Sequence, residues 1–213
     1  MSDWQLVHDS IRDSDIAGAI TTLETFIANH DSQRFSCLLR ESFSNSPSTV
    51  LADVNRFIRA NDKQFDVKAV YLEMNGFEIN YDEWFFNPFA YSSYSSDFDD
   101  TEWLSDWQSP DWPQITLFGM ESSQEAFAWY HEQRIWESQR DFKPIYEASL
   151  LLIAVRFMAF VGTVIKSGKL AKPIPVLATA HDFYESIARY EPNVAANRHT
   201  DKRKGRNKKR RRQ

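Results

Sequence analysis

An α+β fold with a small, mainly antiparallel sheet is expected for this 213-residue chain on three grounds. The first third carries apolar residues at helical spacing. The middle holds strand-like runs around an Asn-Gly pair. A long apolar run follows from about residue 144. Helices that precede and follow a cluster of strands suit segregated layers better than alternating βαβ units. The length suffices to bury a sizeable core, and 42 % hydrophobic with 26 % charged residues is an ordinary globular balance. Residues 1–191 are read as a single α+β domain and 192–213 as a disordered basic tail.

The elements follow in order. Ile16, Ile20, Leu23 and Ile27 recur at i, i+4, i+7 and i+11 with Asp13 or Ser14 as cap. Phe35, Leu38 and Leu39 mark a second, short helix. Ser46 caps a third, Pro47 takes its first position, and Val50, Leu51, Val54, Phe57 and Ile58 form its apolar face. Asn75-Gly76 is the preferred pair of a type I′ turn, which predicts a β-hairpin at 67–81. That register sets Met74 opposite Phe77, Leu72 opposite Ile79 and Val70 opposite Tyr81. Tyr71 with Asn80 and Glu73 with Glu78 then fall on the solvated face. Trp84–Tyr91 is a third strand, held to an edge or a bulge by Pro88.

After a polar loop at 92–96, the acids before TEWLSDWQ favour a short helix from about Thr101, since they oppose the positive end of its dipole. Pro110 and Pro113 stop it, and Ile115–Phe118 is strand-like. Ser122 and Glu125 have capping-box spacing for a helix through about Glu137. A long buried helix occupies 144–166, with Arg156 either paired or reaching the surface. Eighteen apolar residues interrupted by an arginine read as a core helix and not a membrane span. Ile174–Thr179 is a last strand and Tyr184–Tyr190 a last short helix.

Charge is segregated along the chain. The nine basic residues Lys202, Arg203, Lys204, Arg206, Lys208, Lys209, Arg210, Arg211 and Arg212 have no acid among them. Residues 1–201 hold the remaining 16 Lys+Arg against all 30 Asp+Glu, a balance of −14. No Lys or Arg lies between Lys68 and Arg134. An acidic body steers basic partners toward itself, whereas a basic run binds phosphates by counterion release.

Recognisable chemistry is sparse. Cys37, the one cysteine, forms no intrachain disulfide and sits among apolar neighbours as an inert core thiol. None of the five histidines has metal-ligand spacing, and no nucleophile elbow, P-loop or dinucleotide fingerprint is present. No catalytic residue, metal or cofactor is therefore assigned. His181, followed by Asp182, lies just after the 174–179 strand. Active-site residues often occupy such a place, and so do loop-capping histidines. The N-terminus carries no signal or transit pattern, so a cytoplasmic location is expected.

The most informative stretch is 81–112, with eleven aromatic rings, eight acids and no base. Most of these rings belong in the core, because eleven exposed ones would aggregate. A few exposed rings inside an acidic rim make a surface for a basic protein partner. The residues assigned to it are Asp97, Asp99, Asp100, Glu102, Trp103, Asp106 and Trp107, with Trp103 and Trp107 placed on one helical face.

Within this stretch, FEINYDEWFFNPFAY and the following WLSDWQS resemble segments of uncharacterised bacterial cytosolic proteins. The acidic, Trp-rich character is similar to that of toxin-immunity proteins. That resemblance implies a non-enzymatic protein that neutralises a basic toxin, for example a nuclease. The alternative is a nucleic-acid-associated factor acting through the basic tail. A third reading, a hydrolase, requires a pocket that joins His181 to carboxylates.

Overall fold

The computed structural model describes residues 3–30, 33–75, 81–183 and 186–192. Among the described residues five strands, β1 (Ala69–Asn75), β2 (Phe85–Tyr91), β3 (Ile115–Thr116), β4 (Val176–Ala180) and β5 (Ala188–Tyr190), form one sheet in the order β3-β2-β1-β4-β5. Only β1 and β4 pair in parallel. The connection between them carries the last three helices, as a parallel crossover requires. Strand β1 is central and covered on both faces. Its sequence AVYLEM is accordingly an apolar run and not an alternation.

The predicted pairing within 67–81 is corrected. β1 pairs with β2, Ala69 opposite Tyr91 and Asn75 opposite Phe85. A strand residue has two lateral neighbours, and here both are taken. Val70 lies between Ala90 and Val176, Leu72 between Pro88 and Ala178, and Met74 between Phe86 and Ala180. No place is left for Phe77, Ile79 or Tyr81. Residues 76–80, including the Gly76 half of the expected turn, lie outside the described residues. The nearby Asn-Gly signal is overridden by burial, since β2 supplies apolar side chains to both faces. Pro88 stands beyond the end of β3, which pairs only with Phe85 and Phe86, and so meets the expected edge condition.

Among the described residues there are six α-helices, of which α3 and α6 pack on the sheet: α1 (Asp3–Arg12), α2 (Ile16–His30), α3 (Pro47–Asn61), α4 (Glu121–Glu132), α5 (Ile135–Ser138) and α6 (Lys143–Lys166). Helix α3 begins at Pro47 and buries all five expected residues. The cap of α2 is Asp15, whose Oδ1 accepts the Gly18 N–H at 2.9 Å. Asp13 and Ser14 form the preceding turn instead, with Ser14 at φ 64°. The capping box at Ser122 is also replaced. Glu41, distant in sequence, accepts the N–H groups of Ser122 and Ser123 at 2.9 Å each. Helix α4 ends before Arg134, which takes a left-handed conformation at φ 50°, and α5 starts anew.

Helix α6 confirms the expected buried helix and is apolar enough to cross a membrane by composition. In this fold, 78 % of its most apolar window is buried inside the molecule. Arg156 is paired, with Nη2 2.6 Å from Glu24 Oε1 and Nη1 donating to the Leu38 and Glu41 carbonyls. The expected helix at 184–190 is corrected to strand β5 at 188–190, while Tyr184 and Glu185 lie outside the described residues. Asp182, at φ 66°, turns the chain back so that β5 satisfies the outer backbone edge of β4. Tyr190 then reaches across to donate to the Met158 carbonyl of α6.

Candidate functional site: an acidic aromatic groove

The sheet face away from the helices carries Ala69, Tyr71 and Glu73 of β1, Phe89 and Tyr91 of β2, and Leu177 and Thr179 of β4. Segment 92–109 folds over it. Gln108 N–H donates to the Ala90 carbonyl, Ser109 Oγ accepts the Ala90 N–H, and Tyr91 Oη donates to the Leu104 carbonyl. Trp103 and Leu104 enter a second core cluster with Tyr71, Tyr91, Leu177 and Ile187. Nine of the eleven rings of 81–112 are buried or half-buried, which bears out the expectation that most are core.

The two tryptophans part company. The helix expected from Thr101 is a single 3-10 turn, Glu102–Ser105, so it ends before Trp107 and the two rings share no helical face. Trp103 packs edge-on against Tyr91 at 4.8 Å and Tyr94 at 5.6 Å, and donates its indole N–H to the Asp100 carbonyl. It is 9 % exposed, whereas Trp107 is 49 % exposed. Trp107 rests edge-on against Phe89 at 5.3 Å. Of the two rings assigned to the surface, only Trp107 is there.

All five assigned acids, Asp97, Asp99, Asp100, Glu102 and Asp106, are exposed. Two sequence-distant arginines hold the segment in place. Arg12 pairs with Asp99 at 3.0 Å. Arg189 donates to the Ser95 and Asp97 carbonyls at 3.2 and 2.8 Å and lies 4.3 Å from the Phe98 ring centre. Burial and the bond to Glu191 push the Tyr94 hydroxyl up to about 12, so it stays a donor.

The cover is incomplete and leaves a groove of ≈ 450 Å³. Tyr71, Glu73 and Phe89 form its floor, and Glu102, Ser105, Trp107 and His181 line it too. The expected hairpin register places Glu73 with Glu78 on a solvated face. Glu73 is instead 9 % exposed, between Asn87 and Thr179. Its Oε2 accepts the Tyr71 hydroxyl at 3.0 Å, and its Oε1 lies 3.1 Å from His181 Nδ1. His181 follows β4 directly and donates its backbone N–H to the Met74 carbonyl. Its Nε2 lies 3.7 Å from Asp182. One signal for Glu73 stood in the sequence, as the lone charge inside the apolar run AVYLEM. A second cavity, ≈ 170 Å³ between α1 and β5, falls below the usual size of a ligand site.

Among the described residues no group of three or more His, Cys, Asp or Glu is arranged to hold a metal ion. Cys37 is half-buried, and burial pushes its thiol up, in keeping with the inert reading. The basic residues from Lys202 to Arg212 lie outside the described residues. Comparison with family models, curated proteins and solved structures finds no match.

Proposed function

We propose that the chain is a non-enzymatic cytoplasmic binding protein that neutralises a basic protein partner, most specifically as an immunity protein against a cationic toxin such as a nuclease. The observation that carries this is the exposed Trp107 at the groove, with Asp97, Asp99, Asp100, Glu102 and Asp106 all exposed on the same segment. Acids at a rim accelerate encounter with a basic partner, and a half-exposed indole supplies an anchor once contact is made. The test is capture of a cationic protein from the source cell by the wild-type chain and by an Asp97→Lys/Asp100→Lys/Asp106→Lys variant. The wild-type chain should retain a basic protein and block its activity, and the variant should do neither. Equal retention by both would contradict the reading.

The Glu73–His181 contact favours a second reading, acid–base catalysis. Glu73 would orient the imidazole from Nδ1, and Ser105 lines the same groove. Esterase and peptidase substrates separate the two readings: turnover lost in both His181→Asn and Glu73→Gln supports catalysis. The nucleic-acid reading depends on the tail alone, and removal of residues after Arg198 should abolish it.

A further inference from the structure

The geometry points to the groove floor as a seat for one arginine side chain of the partner, with Glu73 as its counterion. This rests on the binding reading above and names the chemistry the groove would accept. The walls are aromatic and in mutual contact. Tyr71 stacks on Phe89 at 6.1 Å and 28°, and Phe89 meets Trp107 at 5.3 Å. Aromatic faces attract cations through their quadrupole, more strongly where water is excluded. Glu73 and Glu102 are acidic counterparts in the lining, and among the described residues no Lys or Arg lines the groove. Among the described residues, the ion-pair partner of Glu73 is His181, a cation only when protonated. A buried carboxylate without a fixed cation favours any ligand that brings one.

Arginine fits better than lysine. A carboxylate has about four acceptor positions. Tyr71 takes one on Oε2 and His181 one on Oε1, which leaves an open position on each oxygen. A guanidinium presents two parallel N–H groups to such a pair and stacks flat on an indole, and an ammonium does neither. The volume of ≈ 450 Å³ admits the side chain with its flanking backbone.

The probe is N-acetyl-arginine methylamide, with the neutral citrulline counterpart as control. It is titrated into the full chain and into a chain ending at Arg198, with affinity read by isothermal titration calorimetry in every variant and, where Trp107 is present, its indole N–H followed by NMR. The arginine amide should shift that signal saturably. Citrulline should bind about tenfold more weakly or worse, since it lacks the charge. Glu73→Gln and Trp107→Ala should each weaken the arginine amide by about tenfold, with Trp107→Ala keeping its melting temperature. Binding by the shortened chain but not the full chain also supports the site, with the basic run Lys202–Arg212 competing in cis. Equal binding of both amides, arginine binding unchanged in Trp107→Ala, or no binding to either chain would overturn it. The titration contains no partner protein, and Asp97, Asp100 and Asp106 do not line the groove. Failure here therefore stays distinct from failure of the charge-reversal capture.

Discussion

Glu41 Oε2 accepts both the backbone N–H and the hydroxyl of Ser123, at 2.9 and 2.6 Å, while its Oε1 takes the Ser122 N–H at 2.9 Å. One carboxylate thus closes the first turn of α4 from outside its own segment. Burial alone would raise the Glu41 pKa, but the bonds from Ser123 and Ser122 outweigh it and lower the value below the ordinary 4.5. The charged form is therefore favoured in the fold. Its contribution is present above the unfolded carboxylate range and lost as pH falls through the lowered native value. Glu41→Ala should cost about 1–2 kcal/mol at neutral pH, as lost caps do. Chemical denaturation at pH 7 and again near pH 3 checks this, the difference from wild type shrinking at the lower pH.

Arg156 should be far less tolerant than its partner. Its side chain is 9 % exposed and also serves two backbone carbonyls, whereas Glu24 is 37 % exposed. Arg156→Ala should destabilise by about 3 kcal/mol, since it orphans buried acceptors. Glu24→Gln should cost less than about 1 kcal/mol, because it keeps an acceptor near solvent. Urea melts of both variants decide it.

Gly162 marks the contact between α6 and β5. A Cβ there would lie 2.9 Å from Tyr190 Cε1, in a ring fixed by its bond to Met158. Helix propensity favours Gly162→Ala by about 1 kcal/mol, and overpacking opposes it by about 1–3 kcal/mol. Net destabilisation is expected. A Tyr190→Leu background should remove the penalty and leave the alanine neutral or stabilising, which a double-mutant thermal cycle measures.

The helical third and the long core helix were readable because each depends on periodicity within one segment. Val50, Leu51, Val54, Phe57 and Ile58 all face the core as their spacing implies. The β1–β2 register was not readable. The Asn75-Gly76 turn is a signal from neighbours in sequence, whereas the two flanks of Leu72 are filled by Pro88 and Ala178 from far along the chain. The caps divide the same way, since the Glu41 bonds to Ser122 and Ser123 span some eighty residues. On the segment over the sheet, composition pointed to exposed acids, which the structure shows, and to Trp103 and Trp107 alike, of which only Trp107 is exposed. Glu73 could not be named, because the wrong register placed it in water, and Trp103 fell inside because its helix is a single turn.

Trp103 and Trp107 should behave oppositely on truncation. Trp103→Ala should lose about 3–5 kcal/mol of stability, as for a buried aromatic ring. Trp107→Ala should leave melting nearly unchanged but weaken partner binding by about 2 kcal/mol or more. Paired melting and binding measurements on the two variants check both halves.

The association rate with the captured basic partner is the decisive measurement, taken by stopped flow across a range of salt. The variant replaces Asp97, Asp99, Asp100 and Asp106 by Asn and Glu102 by Gln, which keeps hydrogen-bond acceptors such as that of Asp97 toward the Asp99 N–H. If this surface steers the partner, the variant associates more slowly, its rate depends less on salt, and its dissociation rate changes little. An unchanged association rate with an unchanged salt dependence would contradict the binding role assigned to this segment.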